Sequence, residues 1–311
     1  VPGTPEDQLP AIAKAGLVCD TCHQISAMKG HDGPWKEPAN ASFEFSPDSD
    51  RKFGPLTGED SAADHAVVSK AYFQSSEFCA NCHTVIHPLN GLRLEHTYEE
   101  WRTSAYASAN IQCQDCHMRT VEEASLVSQT MKPVPAMGTS TPEGAQRLIG
   151  RHLFVGANAN AQALGGGTTH GAMAQERLKG AATLELKNAT FAPSTGLLQL
   201  DVVVTNVGAG HNLPTSLTEL REMWVDLSVT TAGGRLLFHS GALDPKGDID
   251  SHAMRFGAKG GDAAGKLTYK PWEVSQFLWK RLIPPKAAAR DRFSIPVPTD
   301  ARGPLVSSIP W

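Results

Sequence analysis

Apolar and polar positions change their spacing once along this chain, near Ala181. C-terminal to that point Leu184 and Leu186 alternate with Thr183 and Glu185. Leu198, Leu200, Val202 and Val204 alternate with Gln199, Asp201, Val203 and Thr205. Met223, Val225, Leu227 and Val229 repeat the pattern, as do Phe293, Ile295 and Val297. A period of two predicts half-buried strands, and Ala232-Gly233-Gly234 predicts a hairpin turn into Arg235–His239. Short strands punctuated by Gly and Pro over roughly 130 residues predict an antiparallel, immunoglobulin-like β-sandwich over residues 181–311.

Before Ala181 the signals are helical and interrupted. Ser61-Ala-Ala-Asp64 reads as an N-terminal cap leading into a helix over His65–Tyr72, and Ser76 as the cap of a short helix carrying Cys79 to His83. Thr97-Tyr-Glu-Glu100 reads as a capping box for a helix through Trp101 to about Ser108. Val1–Gly16, with Pro2, Pro5 and Pro10, is a lead-in; 30–58 and 131–142 read as loops, and Gly165–Gly167 as part of a flexible connection. The predicted fold class is α+β and multidomain: a mainly helical, loop-rich domain over residues 1–180, then the sandwich.

The cysteines add the chemistry. All six fall in C-x-x-C-H motifs: Cys19/Cys22/His23, Cys79/Cys82/His83 and Cys113/Cys116/His117. This is the attachment signature of c-type haem, in which two thiols three residues apart bond the porphyrin and the next imidazole reaches the iron. Structural zinc, a redox dithiol or three disulfides are the competing uses. None of them needs a histidine after every second cysteine, so three haem c are expected.

Charge and hydropathy narrow the setting. The formal net charge is -4, and Lys and Arg form no basic stripe of the kind a nucleic-acid partner requires. No apolar run approaches the roughly 18 residues of a membrane span. Covalent haem is installed outside the cytoplasm, so a mature form that begins at Val1 after signal removal, periplasmic or extracellular at the cell surface, is expected.

Nine histidines lie outside the motifs: His31, His65, His87, His96, His152, His170, His211, His239 and His252. Three irons need at most three of them. Met28, Met131 and Met137 are rival ligands in free segments, whereas Met118 directly follows His117 and is poorly placed.

Ser76-Glu-Phe-Cys79 with Cys82-His83, the Thr97–Trp101 segment, and Cys113-Gln-Asp-Cys116-His117-Met118 resemble the multihaem cytochrome c superfamily that includes hydroxylamine oxidoreductase-like proteins. They resemble more closely bacterial cytochromes with few haems and a C-terminal sandwich. Asn206-Val-Gly-Ala-Gly-His211-Asn-Leu-Pro-Thr215, followed by Arg221–Trp224, is similar to the sandwich motif of that group; the resemblance spans about Ser61 to Ser240. It implies that His65, His152 and His211 are axial ligands. For His211 there is a physical argument as well: Gly208 and Gly210 let the turn approach a flat cofactor, and Pro214 stiffens its exit. His31, close after His23 and flanked by Gly30 and Gly33, is the reserve. His96 stands where the group carries another polar residue, and His87, His239 and His252 read as surface or structural.

The expected function is electron transfer through three bis-histidine haems, with other cytochromes as redox partners. A subunit of an extracellular cytochrome filament, self-associating head to tail, is a second reading. A multihaem reductase with one open haem is a third, although no C-x-x-C-K motif is present.

Overall fold

The computed structural model describes residues 5, 8–10, 17–30, 38–56, 65–139, 144–159, 168–301 and 305–308. His31, the cap at 61–64 and the glycine run at 165–167 lie outside the described residues.

The cysteine-bearing half is not mainly helical, which overturns that part of the expected fold class. Its helices are α1 (Cys19–His23), α2 (Ser76–Ala80), α3 (Thr97–Arg102), α4 (Ala105–Ser108), α5 (Gln114–His117), α6 (Val121–Thr130) and α7 (Thr168–Lys179). The five before α6 are about one turn each. One turn suffices for their task, because at 3.6 residues per turn a Cys, the Cys three later and the His four later share one face.

Between the helices the backbone pairs in short strands rather than looping. β1 (Ile25–Met28) is antiparallel to β2 (Phe43–Phe45), and β3 (Arg51–Gly54) is parallel to β4 (Ala66–Ser69). β5 (Val85–Ile86) pairs with β6 (Arg93–Glu95), and β7 (Met137–Gly138) with β8 (Arg147–Leu148). The helix expected over His65–Tyr72 is therefore β4 and a 3-10 turn over Ala71–Gln74. Val67 and Val68 are β-branched and fit an extended backbone, and β3 supplies the ladder partners that a helix would have found internally.

The C-terminal half is strand-rich, as the alternation predicts. β9 (Ala182–Ala192), β10 (Leu197–Asn206) and β17 (Ala288–Pro296) form an antiparallel sheet with β10 central. β11 (Glu222–Trp224), β14 (Arg255–Gly261), β15 (Leu267–Thr268) and β16 (Gln276–Arg281) form a second sheet. β12 (Leu227–Thr231), β13 (Leu236–Ser240) and β18 (Leu305–Ser308) form a third. The run Met223–Val229, expected as one strand, breaks at Val225–Asp226 and serves two sheets. The glycine hairpin is present, with Gly234 at φ 83°. One core joins the sheets: Leu200, Val202 and Val204 pack with Leu227, Val229, Met254, Phe256, Ile283 and Ile295.

Asp201 lies on the face of β10 opposite the core residues Leu200 and Val202. It is 1% exposed and accepts hydrogen bonds from Arg292 (2.8 Å), Arg290 and Asn188 (2.7 Å). Arg292, then Arg290 and Asn188, hold its carboxyl well below the usual carboxylate range. A depressed carboxyl stabilises the fold above its unfolded pKa of about 4, and the contribution is lost as pH falls through the folded value. Asp201→Asn is thus expected to lower the urea midpoint at neutral pH, by a margin that begins to narrow as pH falls below about 4 and closes only as pH passes through the lower folded value. A pH-independent difference in urea midpoint would contradict this.

The two halves meet along one seam. Lys286 donates from Nζ to the carbonyls of Ser128 and Val207, each at 2.7 Å, and lies 5.0 Å from the centre of the Tyr106 ring. His87 Nε2 lies 3.0 Å from the Trp272 carbonyl, and Asn90 Nδ2 donates to Val274 at 2.9 Å.

Candidate functional site

Each motif is a helical turn closed on itself. His83 N–H donates to the Cys79 carbonyl at 2.9 Å and His117 N–H to the Cys113 carbonyl at 2.8 Å. The turns are locked to one another. Ser76 Oγ accepts from the Cys113 N–H at 2.9 Å and bonds Gln112 Oε1, while Gln114 Nε2 donates to the carbonyls of Phe73 and Ser75. Ser76 thus ties the second motif to the third instead of capping α2, whose N-cap is Ser75.

None of the six cysteines is paired in a disulfide. Cys79 is in hydrogen-bonding contact with Cys113, and Cys22 is close enough to Cys82 and Cys79 for each to perturb the others' thiols. The second motif therefore adjoins both of the others, and the first and third adjoin as well: Gln114 bonds the carbonyl of Phe73, which stacks on His23, and the Arg151 N–H, next to His152, donates to the Met118 carbonyl. Among the described residues no group of three or more His, Cys, Asp or Glu converges as a metal cluster. A zinc on any cysteine pair would lack its remaining ligands.

The histidines are organised in pairs. His117 and His211 lie with ring centroids 6.3 Å apart and planes 18° from parallel. His23 and His152 lie 6.0 Å apart at 38°. A metal bonded at about 2 Å to one nitrogen of each of two opposed imidazoles sets their centroids roughly 6 Å apart. The Nδ1 atoms are already committed: His23 to the Phe53 carbonyl (2.6 Å), His117 to the Val155 carbonyl (2.9 Å), His211 to the Asn212 carbonyl (3.0 Å) and His83 to Glu95 Oε1 (3.0 Å). An imidazole whose Nδ1–H is held by an acceptor presents an unprotonated Nε2, the state a metal requires. Desolvation, aided by His211 and Arg177, drives the His117 pKa down to about 3, and burial lowers His211 and His152 as well. These rings are neutral donors at neutral pH. The donor set fits haem c.

His211 is placed by residues from both halves. Asn206, at the end of β10 and fully buried, donates to the His211 carbonyl at 2.8 Å and accepts from Ala209. Glu100 Oε2 accepts from the Asn212 N–H (3.1 Å) and the Thr215 hydroxyl (2.6 Å), and Thr97 Oγ1 meets Thr215 Oγ1 at 2.8 Å. Thr97 and Glu100 were expected to cap a helix; instead His96 is the N-cap of α3, and both side chains reach across to the turn that carries His211. The helix also stops early, at Arg102, and Ser104 caps a separate α4. The glycines of that turn admit close packing by the protein itself. A Cβ on Gly210 would meet the Tyr106 ring at 3.3 Å, and one on Gly208 would strike the Gly180 carbonyl.

The structure thus brings His152 against His23 and His211 against His117. His65, at the start of β4, belongs to neither pair, and its Nδ1 is buried without a partner. His83 faces none of the described imidazoles, and its side chain is 63% exposed. His87 is structural, His96 accepts from Lys280 at 2.7 Å, and His239 and His252 bond Asp226 and Asp250. Met28 bonds the Asn81 amide through its sulfur. Phe73, stacked on His23 at 5.6 Å and 11°, fixes that ring's rotation and gave no signal in the sequence. Arg177 of α7, donating to the Cys116 carbonyl at 3.1 Å, lies in the segment expected to be a flexible connection.

No family model and no curated protein matches the chain. Among solved structures it is similar to the penta-haem cytochrome c552 from Thermochromatium tepidum, with a TM-score of 0.61 and 15% identity over 94% of this chain and 68% of that one. The likeness is one of fold: the chain is built like a multihaem c-type cytochrome.

Proposed function

We propose that this chain carries electrons outside the cytoplasm on three covalently attached haem c groups, and that it exchanges them with other redox proteins. The observation that carries this reading is the His117/His211 pair, two near-parallel imidazoles held 6.3 Å apart with Nδ1 committed on both. When bound, haem c supplies reversible one-electron chemistry at its iron.

The chain's own residues have distinct tasks. Cys19/Cys22, Cys79/Cys82 and Cys113/Cys116 anchor the three groups, and His23, His83 and His117 are the proximal ligands. His152 completes the first site and His211 the third. His65, which the family resemblance implies as a ligand, faces neither pair nor His83 among the described residues, so the second site rests on His83 alone. At the first and third sites protein ligands on both sides of an iron favour electron transfer over substrate chemistry, because no coordination position is left there for a substrate. The solved relative in fold carries five haems by its description; three motifs here support three. Among the described residues no helix is long and apolar enough to cross a membrane.

The test is stoichiometry with function. Protein matured with haem c is expected to carry three covalently bound haems by pyridine haemochrome assay and intact mass, and to reduce and reoxidise reversibly. Fewer covalent haems, or irreversible reduction, would refute the reading.

A further inference from the structure

The three motif histidines differ in one respect that bears on how electrons distribute. His23 and His117 offer Nδ1 to neutral backbone carbonyls, those of Phe53 and Val155. His83 offers Nδ1 to a carboxylate, Glu95 Oε1 at 3.0 Å. The Glu95 side chain is 8% exposed, so little water screens it. It stands at the end of β6, whose pairing with β5 sets Glu95 opposite Val85, two residues beyond His83. The contact is thus built by a short hairpin that folds back onto the motif.

A carboxylate that accepts the Nδ1–H of a ligating imidazole draws the proton toward itself and leaves the ring partly imidazolate. Such a ring is a stronger donor through Nε2, and a stronger donor stabilises the oxidised iron over the reduced. A nearby negative charge acts in the same direction. At the third site the surrounding charge is opposite: Arg177 bonds the Cys116 carbonyl and lies within electrostatic reach of His117.

We propose that Glu95 makes the His83 site the lowest in reduction potential of the three, so that the first two electrons are held at the His23 and His117 sites and the His83 site is reduced last. Glu95 is a positioning residue: it acts on the iron only through His83. The inference rests on the three-haem reading above.

The experiment is a potentiometric titration of the full-length holoprotein, followed by visible absorption and electron paramagnetic resonance, for the wild type, Glu95→Gln and Glu95→Asp. Glu95→Gln is expected to raise the lowest of three midpoints and leave the other two in place, with a change in the g-values of the haem that is reduced last. Glu95→Asp keeps the carboxylate and is expected to retain a low third midpoint, which keeps the inference testable if the amide variant matures poorly. Unmoved midpoints in Glu95→Gln, a shift confined to the highest midpoint, or a Glu95→Asp protein with the potentials of the amide would each overturn it. Haem stoichiometry on the same samples separates the two claims: three haems with unmoved midpoints refute this inference alone, whereas fewer than three in the wild type refute the reading beneath it.

Discussion

His211→Ala is expected to leave all three haems attached and to convert one of the three from low-spin to high-spin. The six cysteines are untouched and His117 keeps its Val155 bond, so covalent attachment and the proximal ligand persist. What is lost is the ring 6.3 Å away, which no described neighbour replaces: Asn212 and Thr215 are held by Glu100, and Tyr106 is packed against Gly210. The oxidised variant is expected to show one additional high-spin signal by electron paramagnetic resonance. Its reduced form is expected to bind one further equivalent of carbon monoxide compared with the wild type. A spectrum indistinguishable from the wild type would show that His211 is not a ligand.

The second large effect concerns protein made without haem. The strand-rich half has a core of eleven buried residues drawn from all three sheets. Among the described residues the cysteine-bearing half has one cluster of three, Tyr106, Ile111 and Val127, and helices mostly of four to six residues, which do not persist alone in water. Three porphyrins would supply the missing apolar interior. Unmatured protein is therefore expected to keep slow hydrogen exchange in β9, β10 and β17 and to lose it over residues 76–130. Equal protection of both halves without haem would mean that the cysteine-bearing half is stabilised by its own packing, contrary to this account.

The sequence was most informative where one residue type has one use. C-x-x-C-H singled out the three motif histidines as candidates, and the alternation at Leu198–Val204 located the central strand β10 with its core-facing residues. It was least informative where a side chain was spent on something other than its local role. Thr97 and Glu100 have the spacing of a capping box, yet the partners they meet are on a turn more than a hundred residues away. Thr120 and Glu123 have the same spacing and do form a capping box, at the start of α6. Nothing local distinguishes the two cases; the tertiary partner does. The mainly helical expectation failed for a related reason: an attachment motif demands only one turn of helix, and the intervening backbone satisfied its hydrogen bonds in two- to four-residue strands. The pairing of His152 with His23 was equally hidden, since sequence separation says nothing about which ring faces which.

The most direct test is an iron-edge anomalous difference map from crystals of the matured protein. The account predicts three iron peaks, one between the rings of His23 and His152, one between those of His117 and His211, and one at Nε2 of His83. An iron bound at His117 with His211 turned away, or no iron between His23 and His152, would contradict it.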